Sequence, residues 1–269
     1  MSYALITGAA KGIGKAIAAQ LAERNYNLLL VDIDEAALAA TAEELSARYH
    51  VHAHTLHQDL SAPGALQRVT GWTSPYHELL SVVVNNAGYG INGPFEQLTL
   101  AEQFNIIDVN IKAQVGLSYA YIPVLRQFPR AYLLNLASTT AYQTVPYLNI
   151  YASTKAFALS FTRGLRYELR HSGISVSALS PGSTDTDFVN RARMGEYTRN
   201  VANRFNMTAE KVAKIAVDGL FKGKAEIIPG FTNKLNAWLP KFFPKAFVEK
   251  IAAGIYEPKE KAGEVALSA

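Results

Sequence analysis

Along the chain, short apolar runs alternate with longer segments in which apolar positions recur every three or four residues. The runs YALIT (3–7), NLLLVD (27–32), VHAHTL (51–56), LLSVVVNN (79–86), AYLLNLAS (131–138), ISVSALS (174–180) and AEIIP (225–229) read as strands. Several are apolar on both faces, as a strand must be when helices cover both sides of its sheet. Segments 12–25, 34–49, 101–127, 150–171 and 208–222 carry helical periodicity, and Asp34 stands where a side chain caps the second of these. Such regular alternation predicts an α/β fold: a Rossmann-like, doubly wound parallel sheet of about seven strands with right-handed crossovers, flanked by helices. No repeat, low-complexity tract or Ser/Gly linker divides the chain. Residues 1–230 therefore read as one domain, and 231–269 as a C-terminal extension of it, with Pro240 and Pro244 interrupting any helix there. In that extension Leu235, Trp238, Leu239 and Phe242 form an amphipathic stripe, continued by Phe243, Phe247, Ile251 and Ile255.

Composition narrows the class. The 269 residues are 49% hydrophobic and 18% charged, which supports a packed core rather than disorder. The absence of cysteine excludes disulfides and thiolate zinc sites. The N-terminus MSYALITG lacks the layout of a secretory signal, and no apolar run is long enough to span a bilayer, so a cytoplasmic location is expected. The net charge is +4, and Lys222, Lys224, Lys234, Lys241, Lys245 and Lys250 supply much of the excess against Glu226 and Glu249. These lysines read as solvated faces, and the stripe beside them as a lid or subunit contact. The alternative is a membrane-surface element, which is not favoured. His50, His52, His54 and His57 invite a metal reading, but strand three should be an edge strand, so they are read as surface histidines and no metal is expected.

The chemistry begins with TGAAKGIG, residues 7–14. It follows a strand and opens a helix, where backbone N–H groups approach a pyrophosphate if no side chain intervenes. Gly8, Lys11, Gly12, Ile13 and Gly14 form that loop, and Asp32 ends the next strand, where a carboxylate accepts from an adenosine ribose. The domain therefore reads as dinucleotide-binding. Further on, Tyr151 and Lys155 lie one helical turn apart, so both project from one face. A free phenol, with a pKa of about 10, is a poor acid at neutral pH, and a neighbouring ammonium is expected to lower it. Ser138 closes a strand at the sheet's carboxyl edge, within reach of the same substrate oxygen.

With these residues the sequence resembles the short-chain dehydrogenase/reductase family. TGAAKGIG matches its T-G-x-x-x-G-x-G motif, NNAG (85–88) its strand-four motif, and VN (109–110) its helix asparagine. PG (181–182) matches its loop after strand six, and Ser138 with Tyr151-x-x-x-Lys155 its active site. The resemblance is closest to bacterial ketoacyl-reductase-like, DltE-type oxidoreductases. It implies an NAD(P)-dependent enzyme moving a hydride between nicotinamide and a carbonyl or secondary alcohol. Tyr151 would be the general acid/base, Ser138 would polarise the carbonyl, and Lys155 would bind the nicotinamide ribose and lower the tyrosine's pKa. Asn110 would hold a water in a proton relay. Asn86, Ala87 and Gly88 would pass the adenosine ribose, and Asp59 and Leu60 the adenine. Pro181, Gly182, Thr184 and Thr186 would cover the nicotinamide.

Two residues oppose each other over the cofactor. Asp32 points to NAD, because a carboxylate beneath the ribose repels a 2′-phosphate, whereas Lys11 leaves NADP as the alternative. Tyr142, Gln143, Tyr147 and Phe188 are the expected pocket wall, which favours a hydrophobic substrate. Helices 101–127 and 150–171 are expected to build a homodimer or homotetramer. No nucleic-acid partner is expected, since the basic residues form neither a recognition helix nor a stacking face. The competing readings are a dinucleotide-binding regulator without turnover and a membrane-associated protein.

Overall fold

The computed structural model describes residues 1–186, 188–204 and 206–258. Six strands of the main sheet are β1 (Tyr3–Thr7), β2 (Asn27–Asp32), β3 (Ala53–His57), β4 (Leu80–Asn85), β5 (Ala131–Leu136) and β6 (Ile174–Leu179). The short β7 (Thr184–Asp185) and β8 (Met207–Thr208) pair apart from it, and β9 (Glu226–Ile227) completes it. The seven-stranded sheet has the order β3-β2-β1-β4-β5-β6-β9, all parallel. Strand order reverses between β1 and β4, so the loops diverge there and leave a crevice at the carboxyl ends.

Alternation along each strand feeds two cores. Ala4, Ile6, Leu28, Leu30, Val82, Val84 and Leu134 face the helices α1 (Gly12–Ala22), α2 (Glu35–Tyr49) and α9 (Ala209–Phe221). Leu5, Leu29, Val31, Val83, Leu133 and Val176 face α3 (Ala65–Thr73), α5 (Gln114–Leu125) and α6 (Asn149–Glu168). Each fully buried valine, leucine or isoleucine among them contributes about 1.5–3 kcal/mol of transfer free energy, which is why these strands tolerate no polar face. Asp34 caps α2 as expected, accepting from the Ala37 N–H at 3.1 Å.

The predicted helix 101–127 is interrupted. It comprises α4 (Leu100–Ile107), a π-helical stretch Asp108–Ala113, and α5. Apolar periodicity does not distinguish one extra residue per turn, and such a stretch commonly marks a functional position. The predicted strand 225–229 contracts to the two residues of β9. Of the histidines, His50 caps α2 in a left-handed conformation, while the rings of His52 and His54 stack with centroids 6.5 Å apart and His54 packs beside Tyr3 and Tyr76. No metal-binding cluster occurs among the described residues.

Over the carboxyl end lie α7 (Phe188–Arg191), α8 (Glu196–Arg204), α10 (Phe231–Trp238) and α11 (Lys245–Tyr256). The prolines of the extension separate α10 from α11, and Pro244 caps the latter. No helix among the described residues is long and apolar enough to cross a membrane. The end of the extension, from residue 259, lies outside the described residues.

Candidate active site

β1 ends at Thr7 and the chain turns at Gly8, whose φ of +66° disfavours any side chain. Two hydrogen bonds tie this turn to the end of β4: the Asn86 side-chain amide donates to the carbonyls of Thr7 (2.9 Å) and Gly8 (3.0 Å). The Asn86 and Ala87 N–H groups both donate to Thr7 Oγ1, at 3.1 Å each. A Cβ on Gly14 would lie 1.9 Å from the Gly8 carbonyl oxygen, so only glycine permits this closure. The cap position, Lys11, offers no side-chain acceptor to the first amides of α1. Those N–H groups face the crevice with a favourable helix dipole, which suits a diphosphate.

At the end of β2, Asp32 is fixed by two backbone donors. Ala10 N–H donates to one oxygen at 2.9 Å, and Asp34 N–H to the other at 3.0 Å. Lys11 Nζ is 2.7 Å from the Asp34 carboxylate, and that ammonium holds the Asp34 carboxyl below its ordinary pKa. The lysine that argued for a 2′-phosphate is therefore matched by a carboxylate two residues past Asp32. In sequence Asp34 reads only as a helix cap.

At the centre, Ser138, Tyr151 and Lys155 are all buried. Lys155 Nζ donates to the Leu136 carbonyl at 3.0 Å and lies 5.6 Å from the centroid of the Tyr151 ring. Burial draws the Lys155 ammonium down to about 8. Burial also raises the Tyr151 phenol above its ordinary 10, although a hydrogen bond with Ser138 opposes the rise. The Lys155 ammonium, directed at a backbone oxygen, does not enter this balance, and removal from water penalises both charged forms. Asn110 sits in the π-helical stretch with its side chain engaged. It donates to the Tyr89 carbonyl (2.9 Å) and Thr154 Oγ1 (3.0 Å) and accepts from the Tyr89 N–H (3.1 Å). A Cβ on Gly88 would meet Asn110 Oδ1 at 3.0 Å and Lys155 Nζ at 3.1 Å, so the NNAG turn, the helix asparagine and the lysine converge.

A continuous cavity of about 940 Å³ joins these parts. Gly8, Lys11, Gly12, Ile13, Gly14, Asp32, Asp59, Leu60, Asn86, Ala87 and Gly88 line one half of it. Ser138, Gln143, Tyr151, Lys155, Pro181, Gly182, Thr184, Thr186 and Phe188 line the other. The Phe188 ring centroid is 5.1 Å from that of Tyr151. Two expected wall residues are elsewhere. Tyr142 turns away: its hydroxyl donates to Glu226 at 3.1 Å and lies 3.3 Å from Ser180 Oγ, with burial pushing its phenol up to about 12. Tyr147 adopts a positive φ of 61°, and its hydroxyl donates to Glu257 at 2.8 Å. The apolar wall beside Tyr151 is instead Val145, Leu148 and Met194, with Tyr256 arriving from α11. Tyr256 carried no motif; its place follows only from how the extension folds back.

The family described as short chain dehydrogenase matches residues 2–196. Sulfoacetaldehyde reductase 2 of Chromohalobacter salexigens is 34% identical over 68% of this chain and 73% of its own length. A short-chain dehydrogenase from Sphingobium yanoikuyae, solved with NADPH, superposes with a TM-score of 0.79 at 27% identity, covering 98% of this chain and 99% of that one. A short-chain dehydrogenase/reductase from Burkholderia phymatum, solved with NAD, has the same fold with a TM-score of 0.80 at 21% identity, covering 90% and 93%.

Proposed function

The chain belongs to the short-chain dehydrogenase family, and we propose that Tyr151, Ser138 and Lys155 are its reacting and positioning groups. The protein is an oxidoreductase that interconverts a carbonyl and an alcohol with a nicotinamide dinucleotide. A bound nicotinamide supplies or accepts the hydride. In reduction Tyr151 gives its hydroxyl proton to the substrate oxygen, and in oxidation it takes that proton back. Ser138 donates to the same oxygen and orients it. Lys155, held by Leu136, positions a ribose hydroxyl and supplies positive charge as the phenolate forms. Asn110 fixes the π-helical turn beside them. The observation that carries this reading is the single cavity in which the glycine cradle and the buried Ser138–Tyr151–Lys155 cluster meet.

NAD is the cofactor we infer. Asp32 is already anchored by two N–H groups and keeps lone pairs for the ribose hydroxyls, while a 2′-phosphate would meet its charge. Lys11, the residue that would attract that phosphate, is paired with Asp34. The substrate is a hydrophobic carbonyl or alcohol, since Val145, Leu148, Met194 and Phe188 surround the reacting end. Exposed Leu100, Phe104, Tyr119 and Phe157 on α4, α5 and α6 support self-association through those helices. A fluorescence titration with NADH and NADPH, side by side, tests the cofactor reading. Tighter NADH binding is expected; tighter NADPH binding overturns the preference, and binding of neither overturns the enzyme reading.

A further inference from the structure

The extension leaves apolar side chains in water. Leu235 and Trp238 on α10, Phe242 and Phe243 in the turn after it, and Phe247 and Ile251 on α11 are all exposed, Trp238 by 56% and Phe242 by 61%. Their rings touch one another rather than the core: Trp238 and Phe242 centroids are 4.3 Å apart, and Phe243 and Phe247 5.8 Å. A contiguous patch of this kind on a folded chain marks an interaction surface.

Its rim shows which kind. Lys234, Lys241, Lys245 and Lys250 are exposed among these residues and form no ion pair among the described residues; the sole acid within 231–251 is Glu249. A second copy docked about a two-fold axis would set this basic rim against the same basic rim, a repulsive pairing. An anionic surface with an apolar interior satisfies both features. The aromatic rings enter the acyl boundary while the lysine stems run alongside and keep their ammonium groups among the headgroups. The patch is also continuous with the active-site cavity: Leu239, Pro240, Phe243, Phe247, Val248 and Ile251 line its outer part.

We propose that the segment 231–251 docks the protein on an anionic lipid bilayer, with the mouth of the cavity turned to the acyl layer. If the dehydrogenase reading of the cavity holds, its substrate is then an apolar carbonyl or alcohol that partitions into the membrane and reaches Tyr151 without crossing water.

The docking itself is tested without turnover, so it stands or falls apart from the proposed reaction. The full chain has two tryptophans, Trp72 packed against the core and Trp238 in the patch. Trp72→Phe leaves Trp238 as the reporter. Vesicles of phosphatidylglycerol with phosphatidylcholine, and of phosphatidylcholine alone, are titrated while emission and flotation are followed. The expected result is flotation with the phosphatidylglycerol vesicles, a blue shift of Trp238, and reversal by salt. A lysine at such a surface is worth about fivefold in affinity, so Lys241→Gln with Lys245→Gln should weaken binding roughly 30-fold with an unchanged circular dichroism spectrum. Failure to float with the anionic vesicles, equal flotation with neutral ones, or indifference to the lysine substitutions overturns the proposal. So does self-association that buries Trp238 without lipid, which gives the patch to a second copy.

Discussion

The cradle at the carboxyl edge and the extension that folds over it are both rich in conspicuous residues, yet they are built on opposite terms. In the cradle the polar groups that shape the turn and the reacting end are held by bonds within the chain. Asn86 holds the Gly8 turn, Asp32 takes two backbone donors, and Lys155 takes the Leu136 carbonyl. In the extension the notable groups are exposed rings that pack on one another in water, and lysines that form no ion pair among the described residues. A cluster held by many short bonds is arranged for a fixed geometry, and chemistry needs that geometry. A surface of exposed rings and unpaired cations is arranged for something outside the molecule.

The largest expected effect breaks the cradle at its reacting atom. Tyr151→Phe keeps the ring beside Phe188 and removes only the hydroxyl. Turnover should fall by about 10²–10⁴, the usual share of a general acid, while NADH titration shows binding retained. Near-normal kcat would remove Tyr151 from the chemistry.

Lys155 gives the next effect, read as stability rather than rate. Its folded pKa of about 8 lies below its ordinary 10.5, so between these values the unfolded chain binds the extra proton. Stability of the cofactor-free protein should therefore rise as pH climbs from about 8 toward 10, against a ceiling of roughly 3 kcal/mol. Urea unfolding at several pH values, with Lys155→Met as the reference that lacks this slope, checks the sign. A flat difference between the two would mean that Lys155 is solvated rather than buried.

These two residues also show what the sequence could reveal. Spacing of Tyr151 and Lys155 on one helix face, Ser138 at a strand end and glycines between β1 and α1 were legible because chemistry and close packing constrain residue type at fixed positions. Central strands were legible because burial on both faces demands an unbroken apolar run, as in β2. The rest depended on geometry that residue type does not encode. Nothing in the apolar pattern of 101–127 marks the π-helical stretch around Asn110. Tyr142 and Tyr147 look like pocket residues by position, but Tyr142 bonds Glu226, and Tyr147, at a positive φ, bonds Glu257. Tyr256 reaches the cavity through the path of the extension, a contact far too distant in sequence for any local signal.

Cofactor choice sharpens the comparison within the cradle, because one carboxylate there is anchored by the backbone and another by a mobile charge. Asp32→Asn should raise kcat/KM for NADPH relative to NADH by about tenfold or more, since it lifts a repulsion of roughly 1–4 kcal/mol at contact distance. Asp34→Asn keeps a competent helix cap and releases Lys11 from its 2.7 Å pair. The pair is exposed, so the same ratio should move only about two- to fivefold. An effect of Asp34→Asn that persists in a Lys11→Ala background would mean that Asp34 acts directly on the phosphate and not through the lysine.

The smallest effect belongs to the extension, and it is the one that distinguishes a docking surface from a structural one. Phe242 is exposed, and its closest ring neighbour is Trp238, itself in water. Phe242→Ser removes apolar area that folding leaves mostly in water, so lipid-free stability should stay within about 0.5 kcal/mol. For a chain of this size the melting temperature should then shift by less than about 2 °C. Thermal unfolding at two protein concentrations checks it. A larger loss that grows on dilution would place the ring against a second copy, because only an assembled protein loses stability in that way. A larger loss independent of concentration would place it against its own chain, and the contrast between a satisfied cradle and an unsatisfied surface would fail at this residue.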